Sequence, residues 1–216
     1  MSGNEQVDPS SILRSIDDDQ RRAQQALSPN VTLLYTVWGV AWLLGFLAVY
    51  ATFIPDGDPL LPTAVGLSLG GALLVTAIIL SATHSARRST GSRGPSVVQG
   101  AIYGNIYPVS FTLMGLLGWR LSSAGISNET MLSYWVAATC LIVGILFLAG
   151  AAMWNERSQL VFGIWIVAVG LLSIAIAPPH NLLAGAVGGL GFLVIAVVQS
   201  RSPRLTSGPI VRGTDD

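Results

Sequence analysis

The stretch VVQGAIYGNIYPVSF, residues 97–111, places several polar side chains in a run that carries no charge. Gln99, Tyr103 and Tyr107 recur at i, i+4 and i+8, so on a helix they stack along one face, with Asn105 to the side and Pro108 near the middle. Beside them Gly100 and Gly104 form a small-xxx-small pair that lets a second helix approach closely. Polar side chains in lipid must find partners, so this face is expected to point inward. There it either lines a substrate path or supplies interhelical hydrogen bonds. Without a charge the hydrogen-bonding role is the stronger expectation; Pro108, which frees a carbonyl that needs a new partner, adds a little weight to the path.

Other chemistry is sparse. Catalysis or ion coupling at membrane depth needs ionisable groups facing the interior. All 11 acidic residues fall in tails or between apolar runs, which argues against proton- or sodium-driven transport. His84 and His180 sit at opposite ends of apolar runs, too far apart to share a metal. Cys140 is the single cysteine, so no intrachain disulfide and no thiol-based metal site can form. Ser68 in GLSLGG lacks the Gly-x-Ser-Gly setting of a rhomboid-type serine protease, and there is no phosphate-binding Gly-Lys-Ser/Thr loop. The expectation is a protein that is not an enzyme and carries no metal and no cofactor.

The elements that must hold these residues follow from composition. Of 216 residues, 51% are hydrophobic and 10% charged, too apolar a balance for an ordinary soluble domain. Crossing a hydrocarbon core takes roughly 20 apolar residues of helix. Six windows qualify: Val31 to Phe53, Leu61 to Thr83, Val97 to Leu117, Met131 to Met153, Gln159 to Pro178 and Asn181 to Gln199. They are continuously apolar instead of alternating, which selects helices over a barrel. The fold class expected is therefore all-α: a six-helix transmembrane domain over 31–199, between a cytoplasmic segment 1–30 and a flexible cytoplasmic tail 200–216. No short basic region precedes the first window, so no cleaved signal peptide is expected.

Orientation comes from arginine, since all 11 basic residues are Arg. Arg14, Arg21 and Arg22 precede the first window, Arg87, Arg88 and Arg93 separate the second and third, Arg157 separates the fourth and fifth, and Arg201, Arg204 and Arg212 follow the sixth. Only Arg120 lies on the alternate set of loops. Basic loops stay inside, so both termini are expected in the cytoplasm and the protein in the plasma membrane. Arginine without lysine, beside abundant Ala, Gly and Val, suggests a GC-rich bacterial gene.

Residues 7–30, VDPSSILRSIDDDQRRAQQALSPN, read as an amphipathic helix started by Asp8-Pro9 and broken at Ser28-Pro29. Ile12, Leu13, Ile16, Ala23 and Leu27 share one arc, with charged residues opposite. Asp17, Asp18 and Asp19 offset the three arginines, so strong anchoring to anionic lipid is not expected. The segment is an elbow that orients the first span, or a surface that docks a partner.

Glycines suggest how the spans pack. Gly66 with Gly70, and Gly185 with Gly189, are expected close-packing pairs. AVGLSLGGALLVTAI in the second window and LAGAVGGLGFLVIAV in the sixth align on their Gly-Gly pairs, as the halves of a duplicated transporter would.

An amphipathic cytoplasmic elbow, six spans with both ends inside, and a basic loop between spans two and three together resemble the permease subunit of type-2 ABC exporters. The resemblance implies that residues 9–27 and 84–97 meet an ATPase. Members of that family usually carry a longer external segment between spans five and six, where this chain has only PPHN. The expected partners are the lipid bilayer, a cytoplasmic ATPase or regulator, and a second copy of the chain. A formal net charge of zero gives no attraction for nucleic acid. The expected function is a non-catalytic membrane subunit working with a cytoplasmic partner; the alternative is a membrane-resident regulator or scaffold with no transport path.

Overall fold

The computed structural model describes residues 30–54, 57–89 and 95–202, with the single residues 15 and 210. Among these the regular elements are six helices and no strand: α1 Val31–Tyr50, α2 Thr63–Ser89, α3 Pro95–Ser123, α4 Asn128–Trp154, α5 Arg157–Ala175 and α6 Asn181–Arg201. Five of them, α1, α2, α4, α5 and α6, are long and apolar enough to cross a membrane. α3 is long enough, but Gln99, Asn105, Tyr103 and Tyr107 dilute its apolar character.

Local sequence sets the ends. Asn30 caps α1 by accepting from the Leu33 N–H at 3.0 Å, and Ser127 caps α4 by accepting from the Thr130 N–H. Gly125, at φ 84°, makes the tight α3–α4 turn, a conformation that suits a residue without Cβ. Asn155 takes the left-handed conformation at the end of α4, and α5 begins two residues later.

α1, α4, α5 and α6 form the centre, with α2 laid on α1 and α3 laid on α4. Tyr35 and Trp42 of α1, Phe147 of α4, Phe162 of α5 and Phe192 of α6 fill the middle, with ring centroids 3.9 to 6.0 Å apart. Such pairs add about 0.5 to 1.5 kcal/mol each beyond their buried area.

Helix backbones close around these rings at glycines. A Cβ on Gly189 would lie 2.5 Å from the Leu43 N and 3.0 Å from the Gly39 O, so α6 and α1 touch backbone to backbone. On the other side, a Cβ on Gly163 would meet Leu148 at 2.8 Å, and one on Gly144 would meet Val167 at 2.6 Å, which brings α4 and α5 together.

The circumference is apolar and the interior holds polar groups. Leu113, Val194 and Leu171 are among many exposed large side chains, whereas Ser158, Ser173 and Asn181 are buried. Water would penalise so extensive an apolar exterior, and lipid does not. The chain is a helical membrane protein.

Arg87, Arg157 and Arg201 gather at one end of the bundle, where α1 begins. There the Asn30 N–H donates to His84 Nε2 at 3.0 Å, Trp38 Nε1 donates to Ser81 Oγ at 2.9 Å, and the Ile210 N–H donates to Asn155 Oδ1 at 2.9 Å. Arg120 lies toward the opposite end, the end that also carries the turn with the cis Pro178-Pro179 peptide and the His180 ring, which packs on Tyr50 at 6.0 Å.

Candidate functional site

The α3 polar face divides once its surroundings are seen. Tyr103 and Tyr107 turn toward α4 and are half-buried, whereas Gln99 and Asn105 are exposed. Asn105 Nδ2 donates to the Ala101 carbonyl of its own helix at 2.8 Å, so it satisfies itself locally. Tyr103 donates to the Leu146 carbonyl of α4 at 2.6 Å, and its hydroxyl lies 3.3 Å from that of Tyr107. Since the Tyr103 proton goes to the carbonyl, Tyr107 is the donor between the two hydroxyls. The Trp154 ring meets the Tyr103 ring edge-on at 4.7 Å.

Around this pair the Arg-bearing end collects further polar groups. Ser158, 2% exposed, donates to Glu156 Oε1 at 3.2 Å. Gln159 projects its Oε1 against Gly150, where it is enclosed without a hydrogen-bond donor among the described residues. A Cβ on Gly150 would meet that oxygen and would also come within 2.7 Å of the Tyr103 hydroxyl. α3, α4 and the start of α5 therefore bring together the Tyr103 and Tyr107 hydroxyls, the Gln159 amide and the Ser158–Glu156 pair. Its geometry performs interhelical hydrogen bonding, the second of the two roles open to the α3 face.

The glycines named from sequence sort by environment. A Cβ on Gly66 would collide with Thr52 and approach the Ala48 carbonyl at 2.7 Å, and one on Gly70 would meet the Gly45 carbonyl at 3.4 Å, so both glycines seat α2 on α1. A Cβ on Gly185 would come within 2.6 Å of the Phe46 ring, so Gly185, with Gly189, seats α6 on α1. Gly100 and Gly104 have no atom of another element within 4 Å of a built Cβ. Among the described residues they seat nothing, because α3 turns its tyrosine face, not its glycine face, to α4. The Gly-Gly pairs of the second and sixth windows also differ in use: Gly70 faces α1 and Gly71 meets nothing among the described residues, whereas Gly188 lies against Trp42 of α1 and Ile166 of α5 and Gly189 against the α1 backbone.

Sequence reasoning missed Gly118, Gly150 and Tyr134. Tyr134, in the N-terminal part of α4, donates to the Met114 carbonyl of α3 at 2.6 Å. Gly118 lies beneath the Tyr134 and Trp135 rings. A tyrosine about one turn from a helix end, opposite a glycine-bearing helix, is the available signal.

A second polar spot lies at the far end. Asn181, 0% exposed, donates Nδ2 to Ser133 Oγ at 3.5 Å, and its Oδ1 has no partner among the described residues. No group of three or more His, Cys, Asp or Glu that could hold a metal ion occurs among the described residues. Ile12, Leu13, Ile16, Ala23 and Leu27, the candidate docking arc, lie outside the described residues. No protein-family profile, no curated protein and no solved structure matches the chain.

Proposed function

We propose that all six helices cross the plasma membrane, with both termini in the cytoplasm, and that the protein is a non-catalytic membrane subunit working with a cytoplasmic partner. In the permease-like form of this reading the partner is an ABC ATPase, met by residues 9–27 and the basic segment 84–97. The observation that carries it is the charge asymmetry. Arg87, Arg157 and Arg201 share one end of the bundle and Arg120 stands at the other, as the positive-inside rule requires of a cytoplasmic face. That end is also where the turn before α5, the start of α1 and residue 210 meet, which gives a partner several elements to engage.

One observation favours a second reading, a membrane-resident scaffold that holds a soluble partner without conducting anything. The centre of the four inner helices is occupied by rings, the closest pair being Phe162 and Phe192 at 3.9 Å. A route along the bundle axis would have to displace them.

Purification of the tagged protein from its native host in mild detergent, with and without residues 8–27, separates the readings by mass spectrometry of what co-purifies. An ATP-binding subunit that disappears on deletion supports the export subunit. A regulator in place of an ATPase supports the scaffold. The same partners in both samples would remove the docking role of the N-terminal segment. Single cysteines at Gly57 and Ser92, labelled from outside intact cells, check orientation: reaction at Ser92 but not Gly57 would reverse it.

A further inference from the structure

α3 is the exception among the six helices. It is the long helix that is not apolar enough to cross on composition, and its main packing partner is its hairpin neighbour α4. Polar groups left unpaired in lipid cost several kcal/mol each, so such a helix needs its hydroxyls answered from outside itself.

One construction answers them twice. Tyr103 of α3 donates to the Leu146 carbonyl of α4 at 2.6 Å, and Tyr134 of α4 donates to the Met114 carbonyl of α3 at 2.6 Å. A helical carbonyl is already engaged by the N–H four residues on, and the side chain at that position ordinarily screens it. Here the residue four on is glycine both times: Gly150 after Leu146 and Gly118 after Met114. A Cβ on Gly150 would stand 2.7 Å from the Tyr103 hydroxyl, and one on Gly118 would stand 2.6 Å from the Trp135 ring and 3.0 Å from the Tyr134 ring. Each glycine opens its carbonyl to the tyrosine of the facing helix. The two contacts are reciprocal and sit roughly 16 to 18 Å apart along the helices at 1.5 Å per residue. Pro108, which removes a helical hydrogen bond, falls between them.

We propose that these two tyrosine-to-carbonyl clasps hold α3 in the bilayer, so that α3 crosses as one limb of an α3–α4 hairpin and not as an independent span. The proposal rests on the reading that α3 crosses at all, and the test separates the two.

A cysteine replaces Ala124 in the α3–α4 turn of the full-length protein, with Cys140→Ala as background, and is labelled in intact cells by a membrane-impermeant maleimide. Labelling is normalised to protein in the membrane fraction, and a Gly57→Cys protein serves as the reference loop. With both clasps intact, position 124 labels as fully as position 57. In Tyr103→Phe/Tyr134→Phe, which keeps both rings, labelling at 124 falls at least twofold while labelling at 57 holds. Gly118→Leu/Gly150→Leu, which keeps both hydroxyls but closes the carbonyls, gives a larger fall. Unchanged labelling at 124 in both double variants would overturn the clasp. Failure of position 124 to label in the unaltered helix pair, with 57 labelled, would overturn the crossing of α3 and the clasp with it.

Discussion

The α1–α6 contact and the α3–α4 contact solve the same problem by different means. α1 and α6 meet at Gly39, Gly185 and Gly189: Gly189 lies against the α1 backbone, Gly39 beneath the Leu193 and Phe192 side chains and Gly185 beneath the Phe46 ring, with the rings of Trp42, Phe46 and Phe192 closing over the seam. α3 and α4 meet mostly through long side chains, Tyr103 reaching to one end of the seam and Tyr134 to the other. Lipid supplies no hydrophobic force to push helices together, so association depends on close van der Waals packing and on hydrogen bonds. The first contact relies on packing and the second on hydrogen bonds. Close packing involves many atoms at once and is costly to disturb; a hydrogen bond in a bundle contributes about 0.6 kcal/mol, and at most about 1.7. The inner four helices are therefore the firm part of the molecule and α3 the part most open to perturbation.

The largest effect that would break this contrast is expected at Phe162. It is 0% exposed and its ring contacts those of Tyr35, Phe147 and Phe192. Phe162→Ala should cost about 3 to 5 kcal/mol, read as a shift in the midpoint of an unfolding titration in mixed micelles. A loss below about 1 kcal/mol would mean that the rings do not organise the core. Next comes Gly189→Leu, whose side chain would have to enter the Leu43 backbone. Overpacking of this kind costs about 1 to 3 kcal/mol or more, and because the obstacle is backbone, repacking of side chains cannot relieve it. The same titration measures it.

How much of this was legible beforehand follows from what leaves a trace in residue types. The apolar windows coincide with the six helices to within a few residues because uncharged runs of that length have few alternatives in lipid. Helix α3 extends past its window at both ends, to Pro95 and Ser123, since hydropathy does not register a helix that continues into polar residues. The start of α1 falls at Asn30, directly after the Ser28-Pro29 pair that marked the break. The facing of Tyr103 toward the interior was readable from its spacing with Tyr107. Its acceptor was not, because a backbone carbonyl has no letter in the sequence, and neither was the glycine that uncovers it, which lies on another helix. Gly100-xxx-Gly104 and Gly185-xxx-Gly189 look alike as strings, yet one pair faces no other element and the other lies against α1. Which neighbour a face meets is a tertiary fact, set by the whole bundle.

A smaller effect would sharpen the contrast on the α3 side. Tyr103→Phe removes one hydroxyl and leaves the edge-on ring contact with Trp154 in place. The expected loss is about 0.6 to 1.7 kcal/mol in the same titration. Tyr134→Phe should match it, since the two bonds have the same length and the same glycine arrangement. If either loss approached that of Phe162→Ala, α3 would belong to the firm part of the molecule.

The smallest effect is expected at Gly104, and it is the most informative about what surrounds the bundle. A Cβ there meets nothing within 4 Å, and Asn105 beside it is exposed and bonded to its own helix. Gly104→Leu removes no contact and, within this chain, creates no clash, so its effect on unfolding should stay within about 0.5 kcal/mol. Leucine also favours helix over glycine, by somewhat less than the roughly 0.8 to 1.0 kcal/mol that separates alanine from glycine in peptides, so any small shift should lean toward stability. The measurement pairs the unfolding midpoint with the particle mass in detergent, by light scattering during size-exclusion chromatography. No change in either places lipid against this face of α3. A loss above about 1 kcal/mol together with a lower mass would place a second copy of the chain against it, and would extend glycine-mediated packing from contacts within the bundle to a contact between copies.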